Sequence, residues 1–132
     1  MGVQYRAGVA GDVMLNDRLA GPWELVSFTG VTRSGRTVFP MGEKVAGSLL
    51  YADGQVSVNL MSAGRVRGAP GTRLDVLEDA AAGPLARGYM AYSGPYEVDE
   101  ARGVVRHHFH LCLDPDLIGT LQERRVRCCA AS

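Results

Sequence analysis

Lysine is almost missing from this chain: Lys44 is the only one among fourteen Lys and Arg residues. Those fourteen are balanced by fourteen Asp and Glu, a formal net charge of +0, so nothing points to nucleic acid or another polyanionic partner. No apolar run approaches the roughly 20 residues of a membrane helix, and no positively charged leader precedes an apolar stretch of signal-peptide length. Met1-Gly2 fits the start of a myristoylation signal, but position 6 is arginine instead of serine or threonine. Cysteine is scarce as well. Cys112, Cys128 and Cys129 cannot all pair within one chain, and the last two are adjacent, so the expectation is a reduced, cytoplasmic protein with no membrane association. No Cys/His spacing matches a zinc knuckle or ribbon. The chain also lacks a G-x-S-x-G elbow, an HExxH helix, a P-loop and a dinucleotide fingerprint, so no metal and no cofactor is expected.

At 132 residues, with 46% hydrophobic and 21% charged side chains, the chain is long enough for one globular domain and too short for two. Residues 1–11 show no period and are expected to be a flexible arm; residues 12–132 form the domain. Asp12 to Ala20 reads as a short helix stopped by Gly21-Pro22, and Trp23 to Val31 as a first strand followed by a turn at Ser34-Gly35. Val45 to Ala52, the turn pair Asp53-Gly54 and Gln55 to Met61 make the surest hairpin. Ala63 to Gly71, rich in Gly, Arg and Pro, reads as a mobile connection. Leu74, Leu77, Ala81 and Leu85 fit a helical spacing that Gly83-Pro84 interrupts, and Pro84 can itself start a helix over Leu85 to Tyr92. Tyr92 to Val98, Val104 to Leu113 and Thr120 to Cys129 are the remaining strands. Short strands joined by tight turns imply an antiparallel all-β fold, one that can curl into a small barrel.

Alternation sorts the histidines. Val105, His107, Phe109, Leu111 and Leu113 share one face of the 104–113 strand, whereas Arg106, His108 and His110 lie on the other. His107 is therefore the one imidazole on an apolar face, open either to a ligand or to a hydrogen bond from a tyrosine or a backbone carbonyl. Leu49 and Tyr51 share a face, as do Val56, Val58 and Leu60, while Asn59 points away. Tyr89, Tyr92 and Tyr96 are candidate phenols at a cavity mouth, and Phe28 and Phe39 candidate apolar walls.

Several blocks occur in an order that resembles the lipocalin-like domain family. They are Gly21-x-Trp23, Pro40-x-Gly42, Gly47-x-Leu49-x-Tyr51-x-Asp53-Gly54, Ala91-Tyr92-x-Gly94-x-Tyr96, Val105-x-His107-His108 and Gly119-Thr120-x-Gln122-x-Arg124. The resemblance implies a β-barrel with a central ligand cavity and an N-terminal helix closing one end. It further implies structural roles for Gly21, Trp23 and Arg124, with Arg124 crossing the Trp23 indole. The family continues past its arginine into a further hairpin, so an incomplete barrel is expected for this chain, its missing edge supplied by residues 1–11, by a partner subunit in a homodimer, or not at all.

Three functional classes follow. The first binds a hydrophobic or polyketide-like molecule, with Phe28, Phe39, Leu49, Tyr51, Val58, Tyr89 and Phe109 facing the ligand. The second is a cyclase or isomerase of secondary metabolism, with His107 moving a proton and Tyr92 or Tyr96 stabilising developing oxygen charge. The third is an accessory interaction domain. On volume alone, Trp23→Ala is expected to cost more stability than His107→Phe.

Overall fold

The computed structural model describes residues 2–7 and 15–125 of the chain. Residues 2–7, expected to be part of a loose arm, instead form strand β1 (Gly2–Ala7), antiparallel to β2 (Gly21–Val31). Without β1, one edge of β2 would leave a row of main-chain N–H and C=O groups unpaired, and the pairing satisfies them. Helix α1 (Leu15–Leu19) ends just before Gly21-Pro22; its expected start at Asp12 lies outside the described residues. The Ser34-Gly35 turn folds the short β3 (Thr37–Val38) back onto β2.

β4 (Val45–Ala52) and β5 (Gln55–Ser62) form the expected hairpin, paired from Val45↔Ser62 to Ala52↔Gln55. Asp53 and Gly54 both carry positive φ, 50° and 75°, the backbone of a tight turn whose twist matches that of the strands. Residues 74–76 make a single 3₁₀ turn, and α2 spans Asp79–Arg87. The helix over Leu85 to Tyr92 is thus corrected. The spacing of Leu77, Ala81 and Leu85 prevails, Pro84 is carried inside the helix, and Tyr89 onward is drawn into a strand. That strand, β6 (Tyr89–Asp99), pairs along β5 from Met61↔Tyr89 to Gln55↔Pro95.

The 104–113 strand is broken in two, β7 (Val104–His108) and β8 (Leu111–Cys112). β7 pairs with the second half of β6 (Tyr96↔His107) and β8 with the first half (Ser93↔Leu111). Residues 108–110 therefore oppose only residues 94–95. One extra residue inverts the faces beyond it. The inward places expected for Leu111 and Leu113 are corrected on this ground: they are 70% and 49% exposed, and Cys112 packs on the core instead. The bulge depends on Gly94, where a Cβ would lie 1.8 Å from the His108 carbonyl oxygen. β9 (Leu121–Arg125) closes the order against β7; the rest of the strand expected to reach Cys129, with Cys128, lies outside the described residues.

The strands run in the order β1-β2-β4-β5-β6-β7-β9, with β3 beside β2 and β8 beside β6, all antiparallel. In a flat sheet β4 and β7 would stand about 14 Å apart, three strand spacings. Yet the Tyr51 hydroxyl on β4 lies 2.6 Å from His107 on β7, so the sheet curls strongly around its buried face. Among the described residues it does not close, and β1 and β9 are the two ends of the path. Leu25, Leu49, Val56, Val58, Leu60, Val105 and Phe109 fill the inside.

Candidate functional site

Among the described residues His107 is the one charged or polar residue classed as buried, at 0% exposure. Alternation on β7 sends it inward with Val105, as the sequence predicts, and the curl brings two tyrosines to it. Tyr51 Oη lies 2.6 Å from Nε2 and Tyr92 Oη 2.8 Å from Nδ1. Tyr51, next to last on β4, and Tyr92, opposite Val58 in the β5–β6 pairing, are themselves 4% and 7% exposed. Phe109 stacks on the Tyr92 ring with centroids 3.8 Å apart and planes 20° from parallel. Tyr96, opposite His107 in the β6–β7 pairing, sets its ring edge-on to Tyr51 at 4.7 Å and is only half-buried.

The electrostatics follow from burial and from one arginine. Arg124 lies opposite Val105 on the inward face of β9, where its charge acts on both His107 and the Tyr92 phenol. Burial first, and the Arg124 charge second, lower the His107 pKa to about 3. Burial raises the Tyr92 pKa, against the opposing pull of Arg124. At neutral pH the imidazole and the Tyr92 phenol are uncharged and Arg124 is positive. A neutral imidazole donates at one nitrogen and accepts at the other, so His107 donates to one of its two phenols and accepts from the other.

The expected site residues separate into two groups. His107, Tyr92, Tyr96, Tyr51, Leu49, Val58 and Phe109 come together, with Phe28 packed at the margin of the core. Phe39 and Tyr89 do not. Phe39 follows β3 and is 41% exposed. Tyr89 lies three residues before Tyr92 in a strand, so it faces the other side of the sheet, where its hydroxyl donates to Asn59 Oδ1 at 2.9 Å. His108 is on the outer side as expected, with Nε2 2.7 Å from a Glu97 carboxylate oxygen, and His110 is exposed.

Of the structural set, Gly21 opens β2 with a φ of 106°, a conformation that favours glycine. Trp23 Nε1 donates to the Leu19 carbonyl at 2.8 Å, which ties the end of α1 to β2. Arg124 meets Tyr92 and His107 rather than the Trp23 indole; the arginine over a ring among the described residues is Arg65 over Tyr89. The electrostatic role of Arg124 is the feature that the sequence reading missed. Its inward place could have been read from alternation with Gln122, but its neighbours could not.

The model of the lipocalin-like domain matches residues 20–132, which takes in every residue of this inner site. The chain belongs to the lipocalin-like domain family. Lipocalin-like domains are in general small-molecule-binding β-barrels. Neither a curated protein nor a solved structure matches the chain. Among the described residues of this lipocalin-like domain no helix is long and apolar enough to cross a membrane, and no group of His, Cys, Asp and Glu could hold a metal ion.

Proposed function

We propose that the protein binds a hydrophobic small molecule, of polyketide-like character, against the inner face of its curled sheet. The observation that carries this reading is the Tyr51–His107–Tyr92 chain, a fully hydrogen-bonded polar line laid across an otherwise apolar face. Half-buried Tyr96 and Arg124 stand next to it. An apolar body would lie at the margin of that face, beside half-buried Phe28 and Tyr96, and an oxygen of the ligand would accept from the Tyr96 hydroxyl or the Arg124 guanidinium.

Binding is favoured over an acid–base cyclase or isomerase. Both His107 nitrogens are already engaged, and a pKa near 3 makes the imidazole a weak base. A cyclisation directed by shape alone would use the same face and need no proton from His107. Native mass spectrometry of the protein isolated from its own host tests the proposal. The expected result is a retained apolar compound, released unchanged, whose occupancy falls in Tyr96→Leu. A bare protein, or a compound retained equally by Tyr96→Leu, would count against it. A homodimer joined at the sheet ends accompanies this proposal, since β1 and β9 are open edges among the described residues. Light scattering that finds a monomer at all concentrations would remove it.

A further inference from the structure

A second concavity lies away from His107, an open groove of about 360 Å³ between residues 62–68 and one face of α2. That volume falls in the range of small-ligand sites. Leu77, Ala81, Pro84 and Leu85 recur at helical spacing and form its apolar wall, while Arg65 and Arg67 line the other side with no acidic residue among the lining. Arg65 is held in place: its guanidinium carbon is 5.2 Å from the centroid of the Tyr89 ring, and the Tyr89 hydroxyl is itself bonded to Asn59. Its Nε is buried without a hydrogen-bond partner. Neither Arg65 nor Arg67 forms an ion pair among the described residues.

Two guanidinium groups on one wall with no carboxylate among the lining favour a charged acceptor. An inorganic anion would satisfy the arginines but leave the α2 wall in contact with water. A neutral hydrocarbon would cover the wall but leave Arg65 and Arg67 without a charged acceptor. We infer that this cavity binds a small amphipathic carboxylate, with its head on Arg65 and Arg67 and its hydrocarbon tail against α2. The site is separate from the inner face, and the tyrosine that the sequence reading assigned to the ligand cavity, Tyr89, serves here by holding Arg65.

Titration of the full chain with octanoate, followed by backbone amide shifts, tests the inference. The expected result is a saturable response in residues 62–68 and 77–88 at millimolar octanoate or below. Octanol, with the same tail, and inorganic phosphate, with charge and no tail, should each bind about tenfold more weakly or worse. Arg65→Gln and Arg67→Gln should each weaken octanoate by about tenfold. Arg67 is exposed, so Arg67→Gln carries the test if Arg65→Gln disturbs the fold. His107→Phe should leave octanoate affinity unchanged, so this site and the inner one fail independently. The inference is overturned if octanoate produces no saturable shift, if the shifts fall around Trp23 and Tyr96, or if Arg67→Gln binds as tightly as the wild type.

Discussion

Replacing His107 by phenylalanine keeps much of the side-chain volume and removes both nitrogens, so its cost measures the polar chain itself. Two buried phenols lose a partner, at about 1–3 kcal/mol each. Tyr92 keeps its Arg124 contact, which brings the expected total to about 2–4 kcal/mol. Trp23 is only half-buried, so Trp23→Ala should fall below the roughly 3–5 kcal/mol of a fully buried aromatic truncation. The order expected from volume alone, with the tryptophan change clearly the worse, is therefore lost. The sharper test is the triple variant Tyr51→Phe/Tyr92→Phe/His107→Phe. Exchanging a whole buried hydrogen-bonded set for apolar groups of similar shape is nearly neutral, whereas breaking it from one side is not. The triple variant should recover at least half of the loss seen in His107→Phe. Urea unfolding with a common m-value provides the measurement. A His107→Phe cost under about 0.5 kcal/mol, or a triple variant equal to the sum of its singles, would refute the reasoning.

Stability should also depend on pH through His107. Its folded pKa of about 3 lies below the ordinary 6.5, so between those values the unfolded chain takes up a proton that the folded chain refuses. The contribution is complete above about pH 6.5 and lost as pH falls toward 3, with a slope of up to about 1.4 kcal/mol per pH unit. Urea midpoints taken across that window should show this slope in the wild type and lack it in His107→Phe. Arg124→Gln should move the His107 titration upward yet leave it below 6.5, because burial is the larger cause; imidazole chemical shifts read this directly, and an unmoved titration would remove Arg124 from the site. Gly94→Ala should destabilise well beyond the roughly 1 kcal/mol of an average substitution, since its methyl carbon would sit 1.8 Å from the His108 carbonyl oxygen. A thermal melt within a degree or two of wild type would mean that the bulge can relax.

The features legible in the sequence are those set by residues close together in the chain. Asp53-Gly54 between two alternating runs specifies its hairpin because positive φ at both turn residues is a local demand. His107 faces inward because it lies two residues from Val105 in a strand. Where a contact across the sheet decides, local reading fails. Leu111 and Leu113 point outward because Gly94 lets β6 approach the His108 carbonyl and forces an extra residue into the partner strand. Tyr89 faces away from Tyr92 because pairing with β5 outweighs a proline that could have started a helix. The Tyr51–His107 bond spans three strand spacings, and only the curl of the sheet supplies it.

The same burial changes what the histidine can do. An imidazole on an apolar strand face suggests an acid–base group when only its own strand is known. In the curled sheet the apolar surroundings and Arg124 hold it neutral, and Tyr51 and Tyr92 occupy both nitrogens. A base must be able to accept a proton at working pH and must reach its substrate, and full burial with a pKa lowered to about 3 works against His107 in that role. It can fix the positions of two phenols that would otherwise rotate, and through Tyr92 it is linked to a half-buried arginine. The groups with capacity left for a ligand are the half-buried neighbours, Tyr96 and Arg124. Specificity on this face should therefore respond to changes at Tyr96 and Arg124, and stability to changes at His107. A variant series in which His107 controlled ligand choice while Tyr96 and Arg124 did not would invert that division.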